Sequence, residues 1–132
     1  MRRLVVTLVI LAAFLTGAAS AEAKQLTRYD VGGGIAGRAD HLVISTTGAA
    51  TQTGSSGDKS FQLSPRSLRA LKRDLRDARF STLKRRYRPR RTVFDGIGQS
   101  VRYRGKTVSV SSGAQYPKRL ARVLERLARL MR

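Results

Sequence analysis

The chain contains no cysteine. Disulfides, thiolate-bound zinc and a lipid anchor on an N-terminal cysteine are therefore all excluded, and any fold must hold by packing alone. Histidine occurs once, at His41. Acidic residues are scarce as well, 8 against 27 basic ones. Enzymes that work by a nucleophile and base, by paired carboxylates or by a metal draw on these residue types. Here His41 has Asp40 and many serines near it in sequence, but no spacing that fixes a triad. Asp30, Asp40, Asp58 and Asp95 read as scattered turn residues that bond local backbone. No catalytic, cofactor-binding or metal-binding residue is assigned. Internal repeats and long low-complexity tracts are absent too.

Long apolar runs are limited to one, LVVTLVILAAFL, Leu4 to Leu15. It follows Met1-Arg2-Arg3 and precedes small residues ending Ala19-Ser20-Ala21. A basic start, a short apolar stretch and an A-x-A site make a secretory signal peptide over 1–21, with cleavage expected before Glu22 or before Lys24. The run falls short of the ~20 apolar residues that span a bilayer. The expected product is a secreted, extracellular protein with no stable membrane span after cleavage, its single domain covering 22–132. A domain of that size buries roughly 65% of its unfolded surface, enough for one small core without staples.

What the chain does have is positive charge, formally +19. Loss of Arg2 and Arg3 from the 27 basic residues leaves 25 against 8 acidic, or +17. Such an imbalance attracts acidic partners, including cell-wall polymers, anionic lipid, extracellular nucleic acid or an acidic protein, without choosing among them. The densest run is KRRYRPRR, Lys84 to Arg91. One reading is a solvated loop. The other is a polyanion site in which Arg85, Arg86, Arg90 and Arg91 bind phosphates while Tyr87 stacks on a base or sugar.

Periodicity gives the architecture. Gln25–Asp30, His41–Ser45 with a weak continuation to Thr53, Lys59–Leu63, Thr92–Tyr103 and Lys106–Ser111 read as strands. Ser64-Pro65 is a helix start, because Ser64 caps free N–H groups and Pro65 lacks only an N–H that needs no partner. Leu68, Leu71, Leu75 and Ala78 then form one apolar stripe, with Phe80 and Leu83 closing over the helix end. A second helix after Pro117 places Leu120, Val123, Leu124, Leu127 and Leu130 or Met131 on its apolar face. The expectation is an α+β domain of order β-β-β-α-β-β-α, with a single antiparallel sheet of four or five strands and two amphipathic helices packed on it.

The segment VGGGIAG, Val31 to Gly37, satisfies G-x-G-x-x-G at Gly32, Gly34 and Gly37. That fingerprint binds a dinucleotide only where the glycines leave a strand and open a helix, whose N-terminus holds the pyrophosphate. Here loop and then strand follow, the acid about 20 positions on (Asp58) sits in a turn, and no parallel βαβ unit is present. Two readings stay open. The glycines serve a plain loop between antiparallel strands, or Gly33, Gly34, Ile35 and Ala36 form a recognition loop with Ile35 as an apolar knob.

Three stretches together resemble a known family: Gly33-Gly34-Ile35-Ala36, then FQLSPRSLRALKRDLRDARF (Phe61 to Phe80), then YRGKTVSVSSGAQYPKRLARVLERL (Tyr103 to Leu127). The chain looks like the emfourin family, small bacterial inhibitors of protealysin-type, thermolysin-like zinc proteases. The very basic 84–91 stretch and the export signal depart from the family pattern. The resemblance implies a non-enzymatic protein whose partner is an extracellular thermolysin-like metalloprotease. Occlusion of the protease cleft by loop 32–37, with Ile35 in an apolar pocket, is inferred from the local sequence. The alternative is a basic cell-surface module that binds an acidic cell-wall polymer or another polyanion.

Overall fold

A computed structural model describes residues 24–132, so the expected signal peptide lies outside the described residues. The elements run β1 (Gln25–Gly33), β2 (Arg38–Ser45), β3 (Ala49–Gly54), β4 (Lys59–Gln62), α1 (Pro65–Asp77), β5 (Arg86–Tyr87), β6 (Ile97–Tyr103), β7 (Lys106–Ser111) and α2 (Lys118–Leu130). They form an α+β fold with one mixed sheet of seven strands, ordered β4-β3-β2-β1-β6-β7-β5.

The expected four or five antiparallel strands thus become seven, for two local reasons. The run from His41 to Thr53 breaks at Thr46-Thr47-Gly48. Gly48 takes φ +91°, its N–H donates to the Ser45 carbonyl (3.0 Å), and the Ala49 N–H donates to Ser45 Oγ (3.1 Å). That turn folds one sequence run into the hairpin β2–β3. Second, Arg86 and Tyr87, expected in a loop, add a short edge strand parallel to β7, paired Arg86↔Ser109 and Tyr87↔Val110. The other pairings are antiparallel. Strand β6 starts at Ile97 rather than Thr92, because Phe94–Asp95 forms a turn with Asp95 at φ +64°.

Strand alternation decides which face the helices cover. Thr27, Tyr29, Val31, Leu42, Ile44, Val101, Val108 and Val110 point one way and are buried. Against them pack Leu71 and Leu75 of α1 and Leu120, Val123, Leu124 and Leu127 of α2. Helix α1 starts where Ser64 Oγ accepts the Ser67 N–H. Arg126 ties the two helices together through Asp74, and Arg119 Nε donates to the Ala78 carbonyl at the end of α1 (2.9 Å). Among the described residues, no helix is long and apolar enough to cross a membrane.

Asp40 is neither a turn residue nor exposed. It sits in β2 with its side chain fully buried. Arg38 pairs with its carboxylate, and the Ser56 N–H (2.9 Å) and Ser56 hydroxyl (3.1 Å) donate to it. These bonds hold the β3–β4 turn against β2. The Arg38 hydrogen bond first, and the Ser56 N–H second, keep the carboxyl below its ordinary pKa despite burial. A lowered native pKa means stability that is complete above the ordinary carboxyl value, ~3.9, and is lost as pH falls through the native one. Urea unfolding between pH 5 and pH 2 should therefore show a steeper acid loss for the wild type than for Asp40→Asn. Equal slopes below pH 4 would remove Asp40 from the acid-sensitive set.

Candidate functional site

The glycine run forms the tip of the β1–β2 hairpin. Gly34 to Gly37 make the turn between Gly33, the last residue of β1, and Arg38, the first of β2. The Gly37 N–H donates to the Gly34 carbonyl (3.1 Å). Gly33, Gly34 and Gly37 take φ of +102°, +78° and +61°, conformations that other residues adopt with strain. A strand follows Gly37, so no helix N-terminus meets the glycines and the dinucleotide reading has no phosphate cradle. Ile35 projects from the tip 89% exposed, and its chain neighbours are a glycine and an alanine.

The tip does not stand alone. Gly33 pairs with Ile97 at the start of β6, and the Gly34 N–H donates to the Gly96 carbonyl (3.4 Å). A Cβ on Gly33 would come within 2.6 Å of that carbonyl oxygen. Glycine at this position is what lets the hairpin tip and the 88–96 strap lie against each other. Ser112 Oγ fixes the far side of the junction, accepting the Ile97 N–H and donating to the Ile97 carbonyl, both at 2.8 Å. The exposed large hydrophobic residues among those described are Ile35, Val93, Phe94 and Ile97. All four belong to this one end of the sheet, on the tip or on the strap and its junction with β6.

Of the residues singled out by sequence, Gly33, Gly34, Ile35 and Ala36 thus come together at the tip. Arg85 and Arg86 are exposed just before the strap, and Arg90 and Arg91 are exposed on it. Tyr87 is placed differently from the expectation of a free stacking ring. It is half-buried, edge-on to Tyr116 with centroids 6.4 Å apart, and its hydroxyl accepts the Lys84 N–H (3.1 Å). The polyanion reading therefore rests on the arginines. Arg88 and Pro89 line a cleft of about 330 Å³ with Thr92, Val93, Gly96 and Ile97, so the basic and apolar features share a wall.

The helix-free face of the sheet shows what sequence reasoning missed about the acids and the histidine. Asp30 was expected as a turn residue, and no partner was expected for His41. Both lie within strands, opposite each other across β1–β2, and His41 Nδ1 bonds Asp30 Oδ1. Arg28 Nε also donates to the Asp30 carboxylate (3.0 Å). Register sets Thr53, His41, Asp30, Ser100, Ser109 and Arg86 in one row across six strands. Ser100 flanks Asp30 on the side away from His41, two strand spacings from the imidazole, or ~9–10 Å. A nucleophile and its base need hydrogen-bond contact, so this row does not assemble a Ser-His-Asp relay.

Val93, Phe94 and Ile97 were likewise missed as surface residues. Their signal was the Asp95-Gly96 interruption, which ends the strand pattern before Ile97. No protein-family model and no curated protein matches this sequence.

Proposed function

We propose that this is a secreted, non-enzymatic inhibitor of an extracellular thermolysin-like metalloprotease, acting as emfourin-type proteins do on their targets, by binding and blocking. The observation that carries the reading is Ile35, an apolar side chain left 89% exposed at the centre of a glycine-built hairpin tip. Large apolar side chains clustered in water mark interaction sites. The small residues on either side make the tip narrow, which suits entry into a cleft more than contact with a flat surface. The resemblance through residues 33–36, 61–80 and 103–127 supports the same partner class. The test is residual activity of several thermolysin-like proteases against titrated protein. Stoichiometric loss of activity is expected with at least one, and full activity with every one at tenfold excess would overturn the reading.

A second reading rests on the exposed arginines of 84–91: a polyanion-binding module at the cell surface. It predicts that Arg85, Arg86, Arg90 and Arg91 together changed to Ser weaken heparin or teichoic-acid binding. The log–log salt slope should flatten, because fewer counterions are released. An unchanged slope would make the segment a merely solvated one.

A further inference from the structure

We propose that the binding surface is a two-pronged wedge: Phe94 is a second apolar anchor beside Ile35, and the cleft that receives them has an acidic rim. This rests on the inhibitor reading and specifies its partner. Phe94 is 86% exposed, almost as much as Ile35. Left in water, each forgoes the favourable free energy that burying such a side chain contributes. Every other phenylalanine is at least partly buried, Phe80 in the core and Phe61 packed against it, apart from Phe14, which lies outside the described residues.

The two prongs are held ready. The hairpin tip is closed by the Gly37–Gly34 hydrogen bond, and the strap turns sharply at Phe94–Asp95 and is pinned at Ile97 by Ser112. The Gly33–Ile97 pairing and the Gly34–Gly96 hydrogen bond join the two loops. These bonds restrain both loops at their bases, which lessens the entropic penalty of ordering them on binding. Val93 and Ile97, both more than a third exposed, supply an apolar floor near the prongs.

Charge states the chemistry of the partner. Arg88, Arg90 and Arg91 precede Phe94, all of them exposed, while Arg38 after the tip is already paired with Asp40. Asp95 is the only acid on the tip or the strap. Arginine and aromatic residues together are the side chains that dominate protein interfaces. A cleft ringed by Asp and Glu would meet this rim favourably and capture the protein faster at low salt. An anionic membrane also attracts apolar prongs with a basic rim, but a membrane does not require small residues at both sides of Ile35, whereas a narrow cleft does.

The experiment titrates thermolysin-like proteases with wild type, Phe94→Ser, Phe94→Leu and the Arg88/Arg90/Arg91→Ser triple variant. A parallel arm measures binding to phosphatidylglycerol vesicles. Phe94→Ser should raise the inhibition constant about 30-fold, the size of an interface hot spot, with the melting temperature unchanged because the ring makes no core contact. Phe94→Leu should restore most of the loss. The triple variant should slow association and flatten its salt dependence. Wild-type inhibition matched by Phe94→Ser would overturn the second anchor and leave the inhibitor reading standing. An unchanged salt dependence in the triple variant would overturn the acidic rim. Absence of inhibition by the wild type would overturn the inhibitor reading and this proposal with it. Vesicle binding that depends on Phe94, in that case, would reassign the wedge to lipid.

Discussion

Ile35→Asp is expected to abolish protease inhibition, raising the inhibition constant at least about 100-fold, while the melting temperature stays within experimental error. Two terms add. Loss of the apolar side chain removes the burial of an Ile, ~1.5–3 kcal/mol. The carboxylate that replaces it must be stripped of water inside an apolar pocket, which costs several kcal/mol more unless it is paired. Stability should not change, since Ile35 is 89% exposed in the free protein and surface substitutions usually stay within ~0.5 kcal/mol. Gly34 gives a companion test. Its Cβ would meet only Ile97 Cγ1, at 3.8 Å, but its φ is +78°. Gly34→Val should therefore weaken inhibition with a measurable loss of stability from backbone strain. Equal inhibition by wild type and Ile35→Asp would remove the tip from the mechanism.

Leu71→Ala and Leu124→Ala should each destabilise the protein by ~2–5 kcal/mol in chemical denaturation, because each leaves a cavity between a helix and the sheet. Leu71 is fully buried and Leu124 nearly so. A domain of this size has a total stability of about 5–15 kcal/mol, so either change takes a large share of it. Both residues belong to the helix layer rather than to the tip. Inhibition per folded molecule should accordingly persist at temperatures where the variants remain folded. Losses under ~1 kcal/mol for both would contradict the assigned helix faces.

The helices were legible because their signals are local. Ser64-Pro65 starts α1, and the leucine spacing defines its buried stripe; Pro117 and Leu120, Val123, Leu124 and Leu127 do the same for α2. A single sheet with two helices on it was legible, but its strand number and its parallel edge pairing were not. Gly48 at φ +91° turns a weakly patterned run into two strands, and a lone glycine among Thr and Ala is a faint signal for a hairpin. Strand β5 carries no alternation to read, since it is two residues long and held by backbone hydrogen bonds to β7. The tip was legible as a loop with an apolar centre. Its neighbour was not, because the contact between residues 33–34 and 96–97 depends on β1 pairing with β6, and the pairing of strands as far apart in the chain as Gly33 and Ile97 is not written in local pattern. The His41–Asp30 pair was hidden for the same reason, being a product of β1–β2 register.

Amide hydrogen exchange on the protein, free and saturated with a protease that it inhibits, tests most directly whether this end of the sheet is the binding surface. New protection is expected at the amides of 35, 36 and 93–96, with the exposed amides around the α1 and α2 N-termini unchanged. Protection confined to the helices or to the Arg104-Gly105 turn, with the tip exchanging as fast as in the free protein, would contradict it.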